Sequence, residues 1–445
     1  MGAPHTLWWF PPAPMRLVLT ALVLLAAAGC DPSTPSDPGD DPGEPVVETT
    51  LSIRGGVGQR SFTLGDAVPS GDRLFLQNAD GEIAAVAADG QRVIAGASAG
   101  ADGLHLTADG QGGVVALGRL FVNNGAQVDL VATRYTRDLD VVWTQRLEVR
   151  QGVAPDGPFY AYRVAAGGGH AVVLAGARAI ALDMSTGQPQ WSTQPGASSE
   201  WWFGGLADGA GVTLFGRISG RDLLVQRIGW DGATAWRRVA ESDQGGGTAL
   251  LTLGSPVALS GGDALVAYTL REFTNQSGVL RISASGAVTD NWSHRFVGQT
   301  PSGSFASRDI IGAELRLRTD GTVAVRRRLT YIVRPDGTVA SDRAYSAPAF
   351  ELGADRYLAL NGGVLAGSLS PSCADAPGRP TSGQIERTDG EVGYTLAPVA
   401  ATETTTPPSA SAPPQPPAAL ALTGVPSASR QPCSVFRLDV AESGS

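Results

Sequence analysis

Apolar residues in this chain come in short runs, separated at close intervals by polar turn pairs. Val114-Val115-Ala116-Leu117, Leu130-Val131-Ala132 and Leu223-Leu224-Val225 are strand-like in composition, and no stretch carries a long helical period. Between such runs stand Asp231-Gly232 and Thr186-Gly187, where glycine supplies the positive φ of a tight turn. The predicted unit is a β-hairpin whose second strand carries a tryptophan.

That unit repeats. Ala108-Asp109-Gly110 with Val114–Arg119 parallels Ala207-Asp208-Gly209 with Val212–Arg217. Each is followed by a strand, a turn and a tryptophan, ending at Trp143 and Trp236. The same closing pattern recurs at Trp191 and Trp292. Marking the turn residue gives Gly90, Leu139, Gly187, Gly232, Gly286, Gly337 and Gly390, at intervals of 45 to 54 residues. This is the length of a four-stranded propeller blade, so the sequence predicts an all-β chain forming one β-propeller. The end of the chain suggests one more unit, in Ala419–Gly424 and Val435–Asp439. Eight blades are expected, with seven as the alternative, closed by pairing Thr49–Arg54 with the C-terminal strands.

The segment Ala181–Trp191 resembles the repeat of pyrroloquinoline-quinone-type propellers, and the units at 108–143 and 207–236 are similar to the bacterial β-propeller repeat of secreted proteins. The resemblance implies that Trp143, Trp191, Trp236 and Trp292 pack between blades. Quinone-dependent dehydrogenases share this repeat but hold their cofactor with a vicinal cysteine pair and an acidic metal cluster. Neither is present here, so no cofactor is expected.

The N-terminal region adds an address. Arg16 precedes the apolar stretch Leu17–Ala28, which is too short to span a bilayer, and Gly29-Cys30 follows. This resembles the bacterial lipoprotein signal, which implies cleavage before Cys30 and acylation of that cysteine. Residues 1–29 are then a signal peptide, with Met15 as the natural start. Residues 30–48 form the lipidated cysteine and a Pro/Asp/Ser tether too poor in apolar side chains to fold. Residues 49–445 form the propeller, with a Thr/Ser/Pro-rich loop at 402–417. The expected location is a bacterial cell envelope, at the outer membrane or cell surface. Cys373 and Cys433, the remaining cysteines, would pair in an oxidising compartment, joining the last two blades.

Charge and chemistry narrow the function. The net charge is −9, and every one of the 33 cationic side chains is arginine. No basic face exists for nucleic acid, and lysine Schiff-base chemistry is excluded. The four histidines are scattered, and no zinc or calcium spacing is found. Gly96-Ala97-Ser98-Ala99-Gly100 fits a hydrolase elbow, but that motif needs a following helix, and Ala101-Asp102-Gly103 does not start one. Trp201-Trp202-Phe203 is the aromatic cluster that a binding surface could use, though packing between blades is the favoured reading. The expected function is a monomeric, membrane-anchored, non-catalytic scaffold for a protein or envelope partner. The alternative is a secreted quinone-dependent or hydrolytic enzyme.

Overall fold

The computed structural model describes residues 64–340, apart from short loops, together with brief strand segments on either side. Among the described residues, all regular elements are strands. Leu64–Ser70, Arg73–Asn78, Glu82–Ala87 and Val93–Ser98 form blade 1, and Asp102–Ala108, Val114–Val122, Gln127–Tyr135 and Val141–Gly152 form blade 2. Blade 3 consists of Tyr162–Gly167, His170–Ala175, Arg178–Asp183 and Pro189–Thr193. Trp201–Ala207, Gly211–Ile218, Asp222–Gly229 and Thr234–Ser242 make blade 4. In blade 5, Leu250–Leu253 and Val257–Ala258 both pair with Ala264–Arg271, followed by Asn275–Ile282 and Val288–Thr300. Blade 6 comprises Glu314–Leu317, Val323–Arg326, Thr330–Val333 and Ala344–Tyr345.

The short unbroken apolar runs have a direct cause. A blade is buried on both faces, so consecutive residues along a strand serve two different cores. Val114 and Ala116 pack toward blade 1, whereas Val115 and Leu117 pack toward blade 3. Val172 and Leu174 face blade 4 while Val173 faces blade 2. Five clusters of buried side chains each lie between two successive blades, from blades 1 and 2 through blades 5 and 6.

Among the described residues six such blades are found, where eight, or alternatively seven, were expected. Beyond the six blades, Ala349–Gly353, Arg356–Asn361 and Val364–Gly367 form a further sheet, completed by the distant strand Ser434–Phe436. The segment between them is a strap rather than further blades. Pro380–Thr381 pairs with the outer strand of blade 6, Gly383–Asp389 with that of blade 5, and Tyr394–Pro398 with that of blade 4. Thr404–Thr405, Ala410–Ser411 and Ala418–Ala419 then reach blades 3, 2 and 1. The strap thus visits six blades in reverse order, adding an antiparallel strand to the outer edge of each.

Its composition suits this course. Proline cannot donate to a ladder, so a Pro-rich chain is confined to sheet edges and to brief pairings. The stretch 402–417, expected as a loop, accordingly contributes two-residue contacts to blades 3 and 2. Gly383–Asp389, expected before the Gly390 turn of a blade, belongs to the strap. The terminal strands do pair, but in two small separate sheets. Thr49–Leu51 meets Pro426–Ala428, and Asp439–Ala441 lies between Gln59–Ser61 and Leu422–Thr423.

Candidate functional site

The innermost strands bring ionisable side chains together near the axis. Asp66, on the first strand of blade 1, accepts from its neighbour amide Ala67 through Oδ1 and from the Leu106 amide of blade 2 through Oδ2, both at 2.8 Å. Arg316, on the first strand of blade 6, lies 3.7 Å from the same carboxylate and donates to the Ala67 carbonyl at 2.9 Å. His105 Nε2 lies 3.9 Å away, while its Nδ1 accepts from the Val164 amide of blade 3 at 3.4 Å. Blades 1, 2 and 6 therefore meet at one carboxylate, and His105 links blade 2 onward to blade 3. Both of its oxygens are engaged, which suits a structural tie better than proton transfer. Among the described residues, no group of three or more His, Cys, Asp or Glu could hold a metal.

The turn face of blades 2 and 4 carries a second recurring pair. Asp109 accepts from the Gln111 and Gly113 amides and pairs with Arg134 at 3.0 Å, and Asp208 does the same with Ala210, Gly211 and Arg227. Burial works against the Asp208 charge, but the bonds from Arg227 and the two amides outweigh it and hold its pKa below the usual carboxylate value. The Ala-Asp-Gly…Arg pattern of the sequence is this turn lock.

The tryptophans of the repeat lie at the seams between blades. Trp143 donates through Nε1 to the Met184 carbonyl of blade 3 at 2.7 Å, and Trp191 donates to the Trp230 carbonyl of blade 4 at 3.1 Å. Gly187, at φ +72°, sits beneath the Trp143 ring, where an added Cβ would meet ring carbon at 2.6 Å. Gly337, at φ +78°, has the same relation to Trp292, at 2.7 Å. Here glycine meets both the turn and the close approach of the indole.

Trp202 and Phe203 are buried, and Trp201 is half-buried. The inter-blade reading of this cluster holds for both buried side chains: Trp202 packs toward blade 3 and Phe203 toward blade 5, on the two covered faces of one strand, so they offer no exposed binding face. The Gly96–Gly100 motif lies in a strand followed by a turn and then the strand Asp102–Ala108, so the helix that a nucleophile elbow requires is replaced by sheet. Cys30, Cys373 and Cys433 lie outside the described residues.

One site had no sequence signal. His294, on the outer strand of blade 5, is buried against Trp292 and Tyr331, with ring centroids 4.9 and 5.2 Å away. Its Nε2 donates to the Gly337 carbonyl at 2.7 Å, and the Tyr331 hydroxyl meets Nδ1 at 3.3 Å. Arg387 of the strap lies opposite it in register and bonds the Asp336 carbonyl and the Asp290 carboxylate. Burial, with the Arg387 charge adding to it, pushes the His294 pKa down from 6.5 to about 4, against the bond to Gly337. The unfolded chain therefore takes up the proton first, and this contribution to stability is present above pH 6.5 and lost as pH falls through about 4. The loss should reach about 3 kcal/mol across that window. Urea unfolding of wild type and His294→Gln between pH 7 and pH 4 checks this. The variant should lack that part of the slope, and parallel pH profiles would refute the assignment.

No family model matches this sequence, and no curated protein matches it. Among solved structures, the chain is similar to the WD40 domain of Neurospora crassa Pan2, with 10% identity, 66% of this chain and 86% of that chain covered, and a TM-score of 0.38. It is also similar to the beta-propeller domain of Myceliophteria thermophila Cps50 (Swd1), with 12% identity, coverage of 68% and 96%, and a TM-score of 0.43.

Proposed function

We propose that this chain is an exported, lipid-anchored β-propeller that binds a protein partner through its faces and performs no chemistry of its own. Arg16, the Leu17–Ala28 run and Cys30 support the anchor, and the Pro/Asp/Ser stretch after Cys30 supports a tether. The observation that carries the binding reading is the strap. By pairing with the outer strand of six blades, it occupies the edges where an extended partner would otherwise add a strand. The turn-lined faces are then the surfaces on offer, and the carboxylates described on the inner strands and turns are tied within the ring.

Cys373 and Cys433 belong to the same reading. Ser434, next to Cys433, pairs with Gly367, six positions before Cys373, so a bond between them would close the base of the excursion that carries the strap. In a chain-entropy model, closing a loop of this size stabilises by about 3–4 kcal/mol.

The test combines anchor and partner. In a host that processes lipoproteins, an alkyne fatty acid should label the wild type and bring it down with membranes, and Cys30→Ser should lose both properties. A photo-crosslinking side chain at the exposed turn residue Asp320 or at Asn123, at the tip of a blade 2 hairpin, should give a discrete adduct. Labelling that survives Cys30→Ser refutes the anchor, and no adduct from either position refutes the scaffold.

A further inference from the structure

The seams before blades 3 and 4 share one construction, and the seam before blade 5 departs from it. In blade 3 the Asp183 amide closes the last turn onto the Gln188 carbonyl. In blades 4 and 5, Gly229 and Ser283 close onto Ala233 and Ala287 in the same way. The next residue therefore holds an equivalent place in three successive blades: Met184, Trp230 and Ala284. Met184 is buried against Trp143 of the preceding blade, and its carbonyl accepts from both the Trp143 indole and Arg134. Trp230 covers the following seam, where its ring stacks on His170 at 4.3 Å and its indole N–H donates to the Asp208 carbonyl at 3.0 Å. At the seam of blades 5 and 6, the strap's Arg387 lies across the corresponding turn, bonded to the Asp336 carbonyl.

Between blades 4 and 5 the place belongs to Ala284, whose methyl group fills none of it. A cavity of about 550 Å³ opens there, walled by Trp236, Phe215 and Ile282. Two ion pairs flank it, Asp208–Arg227 at 2.6 Å and Asp263–Arg281 at 2.8 Å. Among the described residues, neither Trp236 nor Arg227 bonds the Ala284 carbonyl as their counterparts bond that of Met184. Arg227 donates instead to Thr213 and Asp208.

We infer that this seam is the docking point for a partner polypeptide, which inserts one large apolar side chain of the Trp or Met type into the space that Met184 and Trp230 fill in neighbouring seams. The inference rests on the scaffold reading and gives it a place. The two preceding seams show what fits: an apolar side chain whose backbone carbonyl is bonded by the tryptophan, and at Met184 by Arg134 as well. The cavity volume is within the usual range for a ligand site, and the paired charges at its rim leave the site without a net preference for a charged group.

The test uses the full chain and three blocked tripeptides, Gly-Trp-Gly, Gly-Met-Gly and Gly-Ala-Gly, titrated by calorimetry. The Trp and Met peptides should bind at least about tenfold more tightly than the Ala peptide, as burial of one large apolar side chain implies. Ala284→Trp, or the milder Ala284→Met, should fill the cavity, abolish that binding and leave thermal stability equal or higher. Equal binding of the Ala peptide, or binding that survives a folded Ala284→Trp or Ala284→Met variant, overturns the inference. If no peptide binds while the Asp320 or Asn123 adducts persist, this inference falls and the scaffold reading stands. If both vanish, both fall.

Discussion

Deleting residues 380–419 is expected to leave the blades able to fold and to make the chain associate with itself. The strap pairs seven residues with blade 5, five with blade 4 and two with each of the other four blades. At about 1 kcal/mol net per hydrogen bond, set against about 1 kcal/mol to order each backbone residue, its own contribution is close to neutral. What it changes is the edge. Without it, the outer strands present unpaired amides and carbonyls in a ring, and such edges pair with other chains. Sedimentation velocity over a hundredfold range of concentration should show oligomers in the deletion variant that the intact chain lacks, with a melting temperature only a few degrees lower. A gentler variant, Ile385→Pro with Glu386→Pro, removes an amide from whichever set faces blade 5 and should give the same trend. Unchanged sedimentation in both variants would mean that the edges are protected by other means.

The repeat could be read from the sequence because each blade is local. Its strands, turn glycine and tryptophan fall within about fifty residues, and the turn positions Leu139, Gly187, Gly232, Gly286 and Gly337 all have positive φ. The strap could not be read. Its pairings join residues hundreds of positions apart in segments as short as two residues, too brief for any periodicity to show. Arithmetic then shared the C-terminal residues among blades, which is how eight units were expected. Trp201-Trp202-Phe203 left an exposed reading open for a different reason. Alternation implies an exposed side only when one face of a sheet meets water, and a blade has neighbours on both faces. Ala284 looks like any small turn residue. Its meaning emerges only when the turns of three blades are superimposed and Met184 and Trp230 are found in its place.

The largest loss of stability from a single substitution is expected at Glu200 and Arg237. Glu200 precedes the first strand of blade 4, Arg237 lies on its outer strand, and their side chains meet at 2.6 Å while only 2% and 7% exposed. Arg237 Nε is itself buried without a partner among the described residues, so the guanidinium depends heavily on Glu200. Removing one member leaves a charge in a place that water does not reach, at a cost of about 3–5 kcal/mol. That is a large fraction of the 5–15 kcal/mol by which a domain is typically stable. Glu200→Ala and Arg237→Ala should each shift the urea midpoint accordingly. The double replacement Glu200→Leu with Arg237→Met should recover most of the loss, because two apolar side chains need no desolvation of charge. A double-mutant cycle reads this directly. Single costs below about 1 kcal/mol would show a pair as weak as a solvent-exposed one, and blade 4 would then owe its position to the apolar clusters on its two faces alone.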